Sequence, residues 1–286
     1  MPEEDFHLSD QMRFQAHDSR FRGNDGCNVR TFNRTLNSRR TRPPILACED
    51  ANGESAGEFV IKFRGGIETG VAGLACEVVA SVLADELGLA TPAPAIVEID
   101  HKTAALIQKI APTFATVVGN SVGLNFGSEI LQSGFSSWPV GKSIPLGLRQ
   151  AALEVFAFDA LIQNPDRKYS NPNLLSNGKE LCLIDHELAF SFLYEIASSS
   201  HPWELSHSNF DVLKEHVFYR ELRGQRFELE RFIGALNGLS DEALAQMAGQ
   251  LPSVWKTAAV TRILDHLKTV RKHSKQFTEQ LKWRLS

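Results

Sequence analysis

The sequence is poor in cysteine and has no long hydrophobic run, and each absence excludes a class of protein. Four cysteines occur in 286 residues, without a CxxC pair or a zinc-binding spacing. Neither a disulfide framework nor a zinc module is therefore expected, and a reducing, cytoplasmic setting fits. No apolar segment reaches the roughly 20 residues that a membrane-spanning helix needs. Acidic residues near the start precede any hydrophobic stretch, which argues against a secretory signal.

The sequence also lacks an excess of basic charge. Lysine and arginine together number 30, against 34 aspartates and glutamates, which gives a formal net charge of -4. An extended nucleic-acid surface normally carries a basic excess, so a nucleic-acid partner is not expected. The content of 43% hydrophobic and 22% charged residues is typical of folded soluble proteins. A chain of this length can form one large domain or two lobes with their own cores.

Residues 1–42 lack a core-forming pattern. They contain eight arginines and no lysine, and their apolar residues follow neither a period of 2 nor one of 3.6. We therefore expect a disordered leader, with order beginning at Pro43 and Pro44. An arginine-rich arm that contacts RNA or a partner is an alternative, but six acidic residues in the same stretch dilute its positive charge.

A hairpin is predicted directly after this leader. Residues 45–49 and 58–63 favour strands, and Asn52-Gly53 between them is a turn sequence. In the second strand Lys62 lies on the face opposite to the aromatic and isoleucine side chains. A lysine that projects inward there can bind nucleotide phosphates, although a lysine on a solvated face is the commoner case.

A helix is predicted at residues 71–87. Apolar side chains recur there at helical spacing until Gly88 and Pro92 end the pattern. Glu77 lies at the edge of the apolar stripe. On this pattern alone, Glu77 can be an ordinary surface carboxylate.

The remaining segments indicate the fold class. Residues 93–98 and 104–108 favour another hairpin, and from residue 206 onward the apolar spacing is helical. We therefore predict an α+β fold in two lobes. Residues 43–112 form a small mixed lobe of sheet and helix, and residues 113–286 form a mainly helical lobe.

The most informative stretch is residues 158–190. A helix-like apolar run is followed by a polar loop, and an Asn-Gly turn then leads to a short apolar strand. Two acids and an amide, Asp166, Asn171 and Asp185, thereby come from neighbouring pieces of backbone. One acid can orient an attacking hydroxyl, while an amide oxygen and a second acid can hold magnesium against phosphates. The alternative is that Asp166 and Asn171 are only turn formers.

These residues carry a family resemblance. The spacing Asp-x4-Asn followed by Ile-Asp, in the wording NPDRKYSNPNLL and LCLIDHELAF, resembles the short single-chain branch of the HipA-like kinase family. The resemblance implies a bilobal protein-kinase-like fold that uses ATP and magnesium to phosphorylate a hydroxyl, with serine or threonine of a protein as the expected acceptor. It implies that Asp166 orients the hydroxyl and accepts its proton, while Asn171 and Asp185 bind magnesium. Lys62, held by Glu77, would bind the phosphates.

The nucleotide contacts are less well defined by the resemblance. The sequence has no GxGxxG loop before Lys62, and HipA-like proteins also lack this loop. We expect the turn that begins at Asn52 and Gly53 to cover the phosphates, with residues 65–70 as a weaker candidate. Gln108, where the chain is expected to cross between lobes, is predicted to contact the adenine.

Two local features fit less simply. Residues 167–169 read Arg-Lys-Tyr where many family members carry a histidine, so contacts beside Asp166 are expected to differ. Asp185, His186 and Glu187 could instead be metal ligands of a hydrolase. Adjacent residues on a strand point to opposite faces, and no helical HExxH pair is present, so we disfavour a metallohydrolase.

Three functions therefore remain open. The first is a HipA-like serine/threonine protein kinase. The second is a small-molecule phosphotransferase of the aminoglycoside type, or a lipid kinase, because these enzymes share the same acid and amide spacing. The third is a non-catalytic, degenerate kinase that acts as a binding module. Relatives can act as toxins paired with an antitoxin, so an antitoxin-type protein is a candidate partner.

Overall fold

The structure is a computed structural model, and it describes residues 22–35, 43–131, 134–195, 201–226 and 228–286. A five-stranded barrel is followed by a mainly helical part that contains a small three-stranded sheet. The predicted mixture of sheet and helix is therefore confirmed. Within the described ranges, no helix is long and apolar enough to cross a membrane.

The expected leader contains one long strand, β1 (Arg22–Thr35). The expectation of disorder is wrong for this segment, while residues 1–21 and 36–42 lie outside the described residues. The pairing of β1 with the next strand shifts register twice, first after Val29 and again after Phe32. Such shifts interrupt the two-residue alternation by which a strand is recognised in a sequence.

Four more strands complete the barrel. They are β2 (Pro44–Glu49), β3 (Ser55–Lys62), β4 (Pro94–Ile99) and β5 (Gly123–Glu129). The order around the barrel is β1-β2-β3-β5-β4, and parallel pairing between β4 and β1 closes it. The predicted first hairpin is thus confirmed as β2 and β3. Phe59 and Ile61 are buried in the apolar barrel core, so Lys62 projects to the opposite face of β3.

The predicted helix is confirmed as α1 (Val71–Glu86). All residues from 73 to 84 are buried, because α1 packs against the barrel on one side and against the helical part on the other. A helix that is covered on all sides buries even its polar positions. This is why Glu77, predicted at the edge of an apolar stripe, is only 1% exposed.

The second predicted hairpin is wrong in its second strand. Residues there form α2 (His101–Ile110), followed by a short helix, α3 (Ala115–Gly119). The side chain of Asp100 accepts a hydrogen bond of 2.6 Å from the Thr103 N–H and caps α2. Ala104 and Ile107, three residues apart, are the buried residues of α2, which is a helical and not a strand period.

The barrel extends beyond residue 112, where we expected the small lobe to end. β5 pairs with both β3 and β4, so it belongs to the same sheet. Within β5, Gly127 serves close packing between neighbouring strands. A Cβ at Gly127 would lie 2.7 Å from Cγ2 of Val97 on the adjacent strand β4.

The helical part contains the loop with Asp166 and Asn171. Its small sheet consists of β6 (Ser136–Ser137), β7 (Leu174–Ser176) and β8 (Leu181–Leu183). Its helices are α4 (Arg149–Leu161), α5 (Tyr219–Leu222), α6 (Glu230–Gly238), α7 (Asp241–Gly249), α8 (Ala258–Lys272) and α9 (Ser274–Leu285). α4 delivers the chain to residues 162–173, called the catalytic loop after the role that the sequence predicts for it, and the β7–β8 hairpin returns the chain to Asp185.

Candidate active site

The carboxylate of Asp166 is held by its own loop. Oδ2 of Asp166 accepts hydrogen bonds of 2.9 Å from the side-chain amides of both Asn171 and Asn173. The Asp166 N–H donates to Oδ1 of Asn164 at 3.0 Å. The second carboxylate oxygen of Asp166, Oδ1, makes no hydrogen bond to any residue that the structure describes. This oxygen can therefore accept a hydrogen bond from a substrate hydroxyl.

Lys62 joins the barrel to the end of the hairpin. Its Nζ donates to Oε1 of Glu77 and, at 2.5 Å, to Oδ1 of Asp185. The other oxygen of Glu77, Oε2, accepts the N–H of His186 at 2.9 Å. Glu77 thus binds both the lysine and the backbone that follows Asp185, which fixes the direction of Lys62.

The charges of Lys62, Glu77 and Asp185 shift one another's pKa values. Burial acts to lower the pKa of Lys62, but the carboxylates of Glu77 and Asp185 raise it above its ordinary value. Burial also acts to raise the pKa of Asp185, yet the Lys62 ammonium holds it below its ordinary value. For Glu77 burial dominates, so its pKa is raised despite the nearby lysine. Lys62 is therefore a cation and Asp185 an anion at neutral pH.

Arg167 ties the catalytic loop to the segment that carries Asp185. Its Nη1 donates to the carbonyl oxygen of Asn173 and, at 3.1 Å, to that of Ile184. The Ile184 N–H in turn donates to the Asn173 carbonyl at 3.2 Å. Asn173 also binds Asp166, so the acid of the loop and the acid after the hairpin are connected through one residue.

Asp159, near the end of α4, is the buried centre of a second network. It accepts hydrogen bonds from Arg167 Nε at 2.6 Å, from Asn164 Nδ2 at 3.0 Å and from His216 Nε2 at 3.0 Å. Burial acts to raise the pKa of Asp159, but Arg167 and His216 keep it below its ordinary value. Nδ1 of His216 accepts the N–H of Phe218 at 3.2 Å, so its Nε2 carries the proton that Asp159 receives. This network holds the catalytic loop against the end of α4.

Backbone strain is concentrated around the site. Four residues other than glycine have positive φ in the described part of the chain, namely Gln163 (46°), Asn173 (46°), Asp185 (63°) and Phe190 (58°). All four lie between residues 163 and 190. Each such conformation costs of order 1–3 kcal/mol, and such residues cluster at functional sites.

A protein-family model described as HipA-like kinase matches residues 31–285. The chain belongs to the HipA-like kinase family. Among solved structures, this family member is similar to the crystal structure of CtkA, a proinflammatory kinase of Helicobacter pylori. The two share 14% sequence identity with a TM-score of 0.45, over 84% of this chain and 94% of that chain. No curated protein matches the sequence.

For this HipA-like kinase family member, two nucleotide contacts were predicted, one at Asn52-Gly53 and one at Gln108. In the described part of the chain, neither makes a hydrogen bond to the residues of the site. Asn52 and Gly53 are exposed at the β2–β3 turn, where Oδ1 of Asp50 accepts the Asn52 N–H at 2.9 Å. Gln108 lies inside α2, and its Nε2 donates to the Ala115 carbonyl at 2.8 Å. The expectation that the chain crosses between lobes at Gln108 is wrong, because α3 and β5 still follow before the barrel ends.

The weaker candidate for a phosphate loop, residues 65–70, lies beside the site. Oε1 of Glu187, two residues after Asp185, accepts the Glu68 N–H at 3.2 Å and the Thr69 hydroxyl at 3.3 Å. At the other end of the loop, the Gly65 N–H donates to Oγ of Ser121 at 2.9 Å. A Cβ on Gly65 would lie 2.7 Å from the Val117 carbonyl, so this approach requires glycine.

Two hydrolase interpretations are disfavoured by the geometry. Gly119-Asn-Ser-Val-Gly123 matches the GxSxG pattern of serine hydrolases, but Ser121 follows a helix and precedes a strand, the reverse of a nucleophile elbow. Its hydroxyl donates to the Val117 carbonyl at 2.6 Å. The described residues contain no group of three or more His, Cys, Asp or Glu side chains that could hold a metal ion, as a catalytic zinc centre would require.

His186 does not join Asp185 as a ligand. Its side chain is buried, and its Nδ1 faces Nη2 of Arg167 at 3.4 Å. Burial and the Arg167 charge lower the pKa of His186 to about 3, so the imidazole is neutral. His186 therefore packs in the protein interior beside Arg167.

Sequence reasoning missed several residues that build the site. Asn164, Asn173 and His216 were given no role, and Arg167 was noted only as a departure from the family pattern. For Asp159, a charged residue in an apolar helix, the sequence leaves two roles open: it braces the loop, or it is only solvated. A charged residue in such a helix is a usable signal, since an unpaired charge is rarely buried.

Proposed function

We propose that this chain is an ATP- and magnesium-dependent kinase that phosphorylates a serine or threonine hydroxyl of a protein. One observation carries the proposal. Lys62 binds both Glu77 and Asp185, and Asp185 follows directly on a segment tied to the loop that holds Asp166. A cation for phosphates, an acid for metal and an acid for a hydroxyl are the parts that phosphoryl transfer needs.

The donor set fits magnesium. The side-chain N–H of Asn171 donates a hydrogen bond to Asp166, so the amide oxygen of Asn171 is the atom left to bind a cation. Asp185 has its pKa held low and already binds a cationic group, the Lys62 ammonium. Magnesium prefers such oxygen ligands and takes one or two side chains together with phosphates and waters. Bound there, it would neutralise charge on the transferred phosphoryl group.

Each protein side chain then has a defined task. Lys62 binds the phosphates of ATP, and Glu77 keeps it directed toward them. Oδ1 of Asp166 accepts the hydrogen bond of the attacking hydroxyl and orients it. Catalysis in this class depends on positioning and on charge stabilisation, which explains why so many contacts fix the loop.

The position of the last barrel strand, β5, supports an assignment of the nucleotide contacts. β5 pairs with β3, Lys62 lies opposite Phe126, and the chain leaves the barrel after Glu129. We assign the adenine contact to the backbone of residues 129–131 in place of Gln108. The barrel and the helical part are then the two lobes, with ATP between them and residues 65–70 beside its phosphates.

The experiment is a transfer assay with ATP labelled in its terminal phosphate. Purified protein and magnesium are combined with a protein extract, with aminoglycosides or with inositol lipids. We expect label on serine or threonine of a protein, and none with the Asp166→Asn variant. Label confined to small molecules or lipids would overturn the choice of substrate. Binding of magnesium-ATP without any transfer would favour the non-catalytic alternative.

A further inference from the structure

An exposed surface next to the catalytic loop has no part in the chemistry described so far. Five residues form this basic–aromatic surface: Val140, Lys142, Lys168, Tyr169 and Arg220. Val140 is 56% exposed and Tyr169 is 46% exposed, so both present apolar surface to the solvent. Lys142 and Arg220 are also exposed.

The covalent chain keeps this surface close to Asp166. Tyr169 is three residues after Asp166 and two before Asn171, so the Cα atoms of Tyr169 and Asp166 are at most about 11 Å apart. The loop also doubles back at this point. The Lys168 N–H donates to the carbonyls of Asp166 and Asn171, at 2.9 and 3.0 Å. A polypeptide whose hydroxyl reaches Asp166 must therefore pass near Tyr169.

The surface is held in place by its neighbours. The Tyr169 N–H donates to the Glu215 carbonyl at 3.0 Å, and the Arg220 guanidinium lies 5.6 Å from the centre of the Tyr169 ring. A Cβ on Gly141 would lie 3.0 Å from the Tyr169 hydroxyl, so the turn that carries Val140 is close to the ring. An exposed aromatic that is already ordered loses little entropy on binding, as is typical of residues that dominate interfaces.

The charge of the surface selects among substrates. It carries three cationic side chains on a chain whose formal net charge is -4. Of the acids beside it, Glu215 pairs with Lys168 at 3.4 Å, and Glu221 accepts the Ile144 N–H. The net positive charge attracts acidic groups and repels the polycationic aminoglycosides. Three basic residues are also fewer than the four to eight of a typical anionic-lipid cluster.

We propose that the basic–aromatic surface binds a substrate segment in which acidic residues and one large apolar side chain flank the phosphorylated hydroxyl. The apolar side chain contacts Tyr169 and Val140, and the acidic residues pair with Lys142, Lys168 and Arg220. This inference rests on the proposed kinase function and defines its substrate class.

The test is a set of serine peptides that differ only in their flanking residues. One series carries acidic residues and a leucine or phenylalanine, and a matched series carries lysines at the same acidic positions. For the unmodified protein we expect kcat/KM to be at least tenfold higher on the acidic series. Arg220→Glu should reverse this preference, and Tyr169→Ala should raise KM for the acidic series with little change in kcat. Lys275→Glu, on the exposed surface of α9, is the matched control and should leave the preference unchanged.

The outcomes separate this inference from the proposed function. Equal kcat/KM on both series, or a preference that Arg220→Glu does not alter, overturns the inference and leaves the kinase activity intact. Preferential transfer to an aminoglycoside or to an anionic lipid also overturns it. No transfer to any peptide, protein, lipid or small molecule would overturn both.

Discussion

The Arg167 guanidinium and the Asp159 carboxylate form an ion pair, with Nε 2.6 Å from Oδ2, and neither side chain has any exposed surface. Asp159 belongs to α4, and Arg167 follows Asp166 directly in the catalytic loop. Because the same guanidinium binds the carbonyls of Asn173 and Ile184, the pair fixes the backbone on both sides of the candidate site. The ion pair therefore links the helical core to the positions of two acids.

The ion pair predicts a large effect of Asp159→Ala. Removing one partner leaves the other charge buried without compensation, which costs about 3–5 kcal/mol. Urea unfolding should show this loss of free energy, whereas Asp241→Ala, which removes the more exposed partner of Arg271, should change little. The double variant Asp159→Leu/Arg167→Met should recover part of the lost stability but not phosphotransfer, because no charge is left unpaired while the two carbonyls have lost their donor. Full stability of Asp159→Ala would contradict this role.

The second prediction concerns Asp166 itself. Asp166→Ala should lower turnover by about 10²-fold or more, because the hydroxyl loses the group that orients it and accepts its proton. The side chain is half-buried in a loop outside the hydrophobic core, so the variant should still fold, with a modest loss in melting temperature from the two lost hydrogen bonds. Transfer rates measured with labelled ATP, next to thermal melting of the same samples, decide the point. Transfer at the rate of the unmodified protein would remove Asp166 from the role.

The third prediction concerns magnesium. Asp185→Asn replaces an anionic ligand with a neutral one, so half-maximal activity should need at least about tenfold more magnesium. Activity is measured across a magnesium titration at saturating ATP. Asp265→Asn, an exposed acid on α8, serves as the control. An unchanged titration curve for Asp185→Asn would show that this carboxylate does not hold the metal.

The fourth prediction concerns acid stability. Burial lowers the pKa of His266 from 6.5 to about 4, and its Nε2 donates to the Leu161 carbonyl at 2.7 Å. Between these two pH values the unfolded chain binds a proton that the folded chain does not. The free energy of unfolding should therefore fall as pH decreases, by about 1.4 kcal/mol per pH unit from this residue. Above pH 6.5 the contribution is constant.

Paired variants isolate the contribution of this histidine. His266→Gln keeps an N–H donor but cannot titrate, so its stability should depend less steeply on pH over the same interval. His101→Gln, at an exposed position on α2, should retain the original slope. Because His186 and His216 are also buried, the informative quantity is the difference between variant and unmodified protein. Identical slopes for the His266 variant and the unmodified protein would contradict the prediction.

Local sequence signals were sufficient for the parts of the site that lie on regular elements. Lys62 follows from a clear hairpin, Glu77 from a clear helix, and Asp185 from the end of a short strand. The structure brings these three together, although their catalytic roles remain predictions. Each element is defined by neighbours within a few residues, which is the range over which apolar spacing and turn residues are informative.

The rest of the candidate site depends on contacts between residues that are distant in sequence. His216 reaches Asp159 across 57 residues, and no local pattern indicates that partner. α2 was mistaken for a strand because a short apolar run fits either period, and its Asp100 cap was not recognised. That error moved the expected adenine contact to Gln108, although one more strand follows before the barrel ends.

The most direct test of the central claim is a crystal structure with a non-hydrolysable ATP analogue and magnesium. We expect a metal ion bound by the Asn171 amide oxygen and the Asp185 carboxylate, with Nζ of Lys62 on the phosphates and still paired with Glu77. Oδ1 of Asp166 should face the terminal phosphate. A nucleotide bound elsewhere, or one bound here while Asn171 and Asp185 both remain without metal, would contradict the account.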